Sequence, residues 1–172
     1  MPEVGESAEV ELSLDDIRRV TAFAAACARR ALPIYELARP NDSRPGLAID
    51  GAEAFSKSGE RTGALRKLAW DAHKAAREVP ASAATDAALS AMHAAGAAFL
   101  HPLYSPHQVK HILGSAVHLM LTDSNAVAEQ MEWIQDLADA AVRSVLRRFP
   151  TPATGRTSFG TLLTQLDAEL RR

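Results

Sequence analysis

The sequence predicts an all-α fold: one domain of about six to eight helices packed as a bundle. Three observations predict it. Apolar residues recur at spacings of three and four through most of the chain, the signature of one buried stripe per helix. The apolar content is 47% of 172 residues with only 5% aromatics, and it is dominated by Ala, the best helix former. No run alternates apolar and polar residues for long enough to make a half-buried strand.

Residues 1–12 carry four Glu and little apolar content, which predicts a flexible acidic tail before a single helical domain over 13–172. Ser13 and Asp16 form a capping-box pattern. Val20, Phe23, Ala24, Cys27, Ala31, Ile34 and Tyr35 then mark one face of a helix to about Leu37, with Pro33 expected to kink or interrupt its last turns. Arg39 to Pro45 reads as a corner. Ser43 is the expected cap of a second helix from Pro45 to about Lys57, ending near Ser58-Gly59. A third helix is expected from about Arg61 to Val79. A fourth, capped by Ser82, runs through Phe99 to His101, where Pro102 halts it. Ser105-Pro106 opens a fifth through Met120. A sixth segment spans about Ala126 to Phe149 with a bend near Ala138. Thr157 or Ser158 caps a last helix with Phe159, Leu162, Leu163, Leu166 and Leu170 on its apolar face. Gly96 and Gly114 fall mid-helix, where close helix–helix approach is the expected reason for a residue that costs about 1 kcal/mol against Ala.

Nineteen Lys and Arg stand against 21 Asp and Glu, a formal charge of −2. That balance lacks the basic stripe a nucleic-acid partner requires. No apolar run approaches the roughly 18 residues of a membrane span, and the start lacks the zones of a signal peptide. A cytoplasmic protein is expected. The one cysteine, Cys27, sits in an Ala-rich helical run and reads as a small buried side chain.

Chemistry-capable residues concentrate in one place. His93, His101, His107, His111 and His118 make up five of the six histidines. On a helix His107, His111 and His118 fall within about 40° of one another. Two His at i and i+4 can hold one transition-metal ion, so His101, His107 and His111 are the candidate ligands of a divalent metal, and a metal-binding protein or metalloenzyme is one reading of the chain. Against it, Gln108 occupies the place of the catalytic Glu in the zinc-peptidase pattern. His118 is also about 10 Å along the axis from His111. Structural hydrogen bonding between helices is the competing role. No phosphate-binding glycine loop and no nucleophile elbow is present, so no catalytic residue is assigned.

The runs Ala31 to Glu36, Pro40 to Asp50, Asp71 to Arg77, Leu100 to Leu103, Val109 to Gly114, Val145 to Pro150 and Leu166 to Arg171 span most of the chain. Together they resemble a bacterial, largely actinobacterial, family of putative immunity proteins from polymorphic-toxin systems. The resemblance implies a helical protein that binds and neutralises a toxin; occlusion is the expected means, which needs no catalytic constellation, and no cofactor is expected beyond the divalent metal of the histidine reading. The candidate partner-binding residues Asp42, Arg44, Asp50 and His73 all lie in those runs. The partner is then a protein, with no nucleic acid or membrane involved; the oligomeric state is left open, a homodimer included.

Overall fold

A computed structural model describes residues 8–172. Eight helices are present among them: α1 (Leu14–Ala38), α2 (Arg44–Ser58), α3 (Gly63–Glu78), α4 (Ala83–Ala97), α5 (Gln108–Leu121), α6 (Val127–Leu137), α7 (Ala140–Arg148) and α8 (Ser158–Arg171). The fold is all-α, and among the described residues no helix is long and apolar enough to cross a membrane. Of the segment expected as a tail, residues 1–7 lie outside the described residues. Glu9 forms an isolated antiparallel bridge with Leu103, through Val10 N–H to the Pro102 carbonyl at 2.6 Å and Tyr104 N–H to the Ala8 carbonyl at 2.8 Å.

The bundle is organised around α4. It packs against α1, α2, α3 and α5, and it can do so because nearly everything it buries is small. Ala84, Ala87, Ala88, Ala91, Ala94, Ala95 and Ala97 are all sealed from solvent. Thin side chains on several faces of one helix let neighbouring backbones approach on each side. Larger residues fill the remaining space, with Tyr35, Phe55, Ile112, Leu113, Met120 and Phe149 fully buried. One polar clasp crosses this interior. Ser90 Oγ of α4 donates to the Ser115 carbonyl of α5 at 2.8 Å, and Ser115 Oγ donates to the Ala24 carbonyl of α1 at 2.7 Å. The two hydroxyls are 2.9 Å apart. Three helices thus share one satisfied network, the condition under which buried polar groups are tolerated.

Several ends follow from local chemistry. The Ser13–Asp16 capping box is formed in both directions, at 2.9 and 3.0 Å. Thr62, Asp139 and Thr157 each cap a helix through a side-chain oxygen. Gly59 ends α2 at φ +73°, a left-handed conformation that favours Gly.

Other boundaries differ from expectation. Pro33 lies inside α1 without interrupting it; the helix loses one N–H there, and the buried Ala31, Leu32 and Tyr35 anchor the turns around it. Ser43 makes no side-chain cap of α2; the Asp42 carboxylate takes the Arg44 N–H instead, at 3.1 Å. The fourth helix stops at Ala97, short of His101, and closes in a tighter turn with Phe99 N–H on the Gly96 carbonyl. The fifth begins at Gln108, with Ser105 Oγ accepting the His107 N–H at 3.3 Å. The expected bend near Ala138 is a full break, and Asp139 starts a new helix there. Gly114 does meet a close neighbour, a side chain of α4, whereas a Cβ on Gly96 would meet nothing within 4 Å. Helix approach therefore does not explain Gly96.

Candidate functional site

The candidate partner-binding residues are held in different surroundings. Asp42 and Arg44 form the corner between α1 and α2. Arg44 grips the Asp42 carboxylate with two side-chain N–H groups, Nε to Oδ1 at 2.9 Å and Nη2 to Oδ2 at 2.7 Å. The buried ring of Tyr35 reaches up from α1 and donates its hydroxyl to Asp42 Oδ2 at 2.6 Å. On the far side Arg44 also pairs with Glu78, the last residue of α3. Arg39 donates to the Glu78 carbonyl at 3.1 Å. Three helix ends are tied by one network, around a cavity of about 360 Å³.

The electrostatics of this corner follow from its pairing. The Arg44 guanidinium, with help from the Tyr35 hydroxyl, holds Asp42 well below the usual carboxylate range. Burial, and then the bond to Asp42, pushes the Tyr35 phenol up to about 12. Bonds to Asp42 and Glu78 raise Arg44 further above its already high value. None of these three groups changes protonation near neutral pH, so the corner is a fixed charge pattern and offers no general acid or base. What it presents outward is the Arg44–Glu78 pair, with Glu78 61% exposed.

Asp50 lies further along α2 and is 62% exposed. Arg29 of α1 bonds it at 2.7 Å and grips Glu53 with two N–H groups, at 3.0 and 2.8 Å. His73 sits on α3 edge-on to Trp70, ring centroids 5.9 Å apart. The four residues therefore do not converge: Asp42 and Arg44 share a site, Asp50 belongs to an Arg29 cluster, and His73 lies beside an exposed tryptophan.

The histidines separate as well. His107 precedes α5 and is exposed. His101 is exposed, with its N–H on the Gln108 side chain at 3.0 Å. His111 is half-buried, and burial lowers its pKa. His118 is buried with Nδ1 2.8 Å from Asp86 of α4. His93 stacks on His118 at 5.2 Å, and Phe159 of α8 packs against both rings. Among the described residues no group of three or more His, Cys, Asp or Glu is placed to hold a metal ion. That includes His101, His107 and His111. The three-histidine stripe is cut short because α5 begins after His107, and the neighbouring helices take His118 into a hydrogen bond with Asp86 and a stack.

Three participants were not singled out from sequence. Tyr35 was assigned to the apolar stripe of α1, although a buried phenol needs a hydrogen-bond partner and Asp42 lies seven residues on. Glu78 and Asp86 carry no local signal, because their partners come from other helices.

No curated protein and no solved structure matches the chain. A protein family does: its match covers residues 11–136, from just before α1 almost to the end of α6, and includes the α1–α2 corner, Asp50, His73 and all six histidines. On that match the chain belongs to the Imm-5 like putative immunity protein family.

Proposed function

We propose that this protein acts as an immunity protein of a bacterial polymorphic-toxin system: it binds a partner toxin in the cytoplasm and neutralises it by covering the toxin's working surface. The observation that carries the reading is family membership over residues 11–136. An occluding protein needs a rigid, charge-patterned surface and no chemistry of its own, and the α1–α2 corner has that character. Arg44 and Glu78 present opposite charges on a scaffold pinned by Tyr35 and Asp42, and Asp50 adds an exposed acid on α2. Charge patterns of this kind set orientation and association rate.

The test is co-expression with a toxin encoded beside its gene. Cells carrying both survive, cells carrying the toxin alone die, and the two proteins purify as a complex. Glu78→Gln combined with Asp50→Asn removes the outward acids while leaving the Asp42–Arg44 pair intact, and it weakens the complex tenfold or more without changing the thermal midpoint. A toxin that stays fully active under a saturating excess of this protein refutes the reading.

A further inference from the structure

A cavity of about 470 Å³ opens between α3, α4 and α5, on a different part of the molecule from the α1–α2 corner. Its walls are Trp70, Ala69, Met92 and Phe99, and its floor is Gly96 and His93. The size lies within the range of small-molecule sites, and so does the mix of apolar walls with few polar groups. Three features make it more than a packing gap.

The first is Gly96. It stands in the last turn of α4, where it still gives up helix propensity against Ala, and its Cβ position is empty for 4 Å around. Neither a turn nor a close neighbour demands a glycine there; what its missing side chain does is leave the cavity floor open. The second is His93. Its imidazole lines the cavity and has no hydrogen-bond partner among the described residues. The side chain keeps partial exposure, so the donor and the acceptor of its neutral imidazole are open to an occupant of the cavity. The third is charge. Arg66 stands at the rim with its guanidinium 4.8 Å over the Phe99 ring, and it makes no ion pair among the described residues. His101 and His111 complete the rim.

We infer that this cavity is a binding site for a small, flat, apolar carboxylate, its ring system between Trp70 and Phe99, its carboxylate on Arg66, and His93 supplying a hydrogen bond from the floor. Arg suits a carboxylate through its planar fork of donors, and the aromatic walls suit a flat body. The site is independent of toxin occlusion, so its failure leaves that proposal standing.

The probe is naphthalene-2-carboxylate, with naphthalene-2-carboxamide as its neutral counterpart, titrated into the full-length protein by calorimetry. Binding is also followed by nuclear magnetic resonance on the two indole N–H signals, Trp70 and Trp133. Trp133 lies on α6 under Arg30 and serves as the internal control. The carboxylate binds at one site per chain and shifts the Trp70 signal while leaving Trp133 in place. The carboxamide binds at least tenfold more weakly. Arg66→Gln lowers carboxylate affinity about tenfold and leaves carboxamide affinity unchanged. Gly96→Leu fills the floor and abolishes binding of both, with an unfolding midpoint no lower than that of the natural chain. Absence of binding by either compound overturns the inference. So does equal affinity for the two, or carboxylate binding that survives Gly96→Leu in a folded protein.

Discussion

The ring of His93 occupies the space that a Cβ on Gly114 would need: a carbon built there would stand 2.5 Å from Nδ1 and 2.7 Å from Cγ. His118 and Phe159 pack against the ring, so it can yield only toward the cavity it lines, giving up that stack. Gly114→Ala therefore overpacks the α4–α5 contact and destabilises the protein by roughly 1–3 kcal/mol. Gly96→Ala, one helix away, meets open space and stabilises by about 0.4–1 kcal/mol through the restricted unfolded chain and better helix propensity. Urea unfolding of the two variants checks both signs, and a shift in the same direction for both would falsify the packing argument.

Acid stability should carry the mark of the same residue. Burial lowers the pKa of His93 to about 3 and also depresses His111, whereas a free imidazole titrates near 6.5. Below about pH 6.5 the unfolded chain takes up protons that the folded protein refuses. This contribution to stability is complete above that pH. It is lost as pH falls toward 3, at up to about 1.4 kcal/mol per pH unit for each such group. His118, Lys110 and His73 reinforce the effect on His93, while Asp86 faces His118. His93→Phe keeps a flat apolar ring and removes the titration, so its stability declines less between pH 6.5 and 5. Unfolding midpoints at pH 7.5, 6.5 and 5.5 test this, and parallel declines in the two proteins would contradict it.

At the α1–α2 corner, Asp42 and Glu78 both bind Arg44 but are not equivalent. Asp42 also holds the Tyr35 hydroxyl and the first free N–H of α2. Asp42→Ala leaves a buried phenol without its acceptor and costs about 1–3 kcal/mol. Glu78→Ala removes an exposed partner and leaves the unfolding midpoint where it was. Thermal unfolding separates the two, and equal losses would mean that the corner is held by its surface pair.

The Ser90–Ser115 clasp predicts coupling. Ser115→Ala breaks the link to α1 and costs about 1 kcal/mol. Ser90→Ala removes the donor to α5 at similar cost. Since the hydroxyls share one network, the double variant loses less than the sum of the singles by at least about 0.5 kcal/mol. Additive losses in a double-mutant cycle would show the bonds to be independent.

Helix existence was readable from periodicity because each stripe is a local pattern, and the caps at Ser13 and Thr157 were readable because they act within three residues. Ends set by tertiary packing were not. Residues 98–101 continue the apolar pattern of α4, yet the chain leaves the helix there to carry His101 and Pro102 across to the bridge with Glu9. Asp42 and Arg44 were legible as a pair because they are two residues apart. Their anchor on Tyr35 and their outward partner Glu78 were not, since an ion pair across helices leaves no trace in spacing. The histidine stripe shows the same limit: helical angle placed the rings on one side, but α4 and α8 decide what each ring meets.

The family match ends at residue 136, yet the molecule does not. Phe159 of α8 closes over His93 and His118, and Arg148 of α7 bonds the Glu11 carbonyl at 2.8 Å and the Asp16 carboxylate at 2.7 Å. Those two lie at the opposite end of the chain. The last helices thus work as a clamp on what precedes them, and a fragment trimmed to the shared region would open a wet seam along α5 and release the first turn of α1. Any expression strategy, or any graft of this scaffold onto another protein, must therefore carry α7 and α8 along.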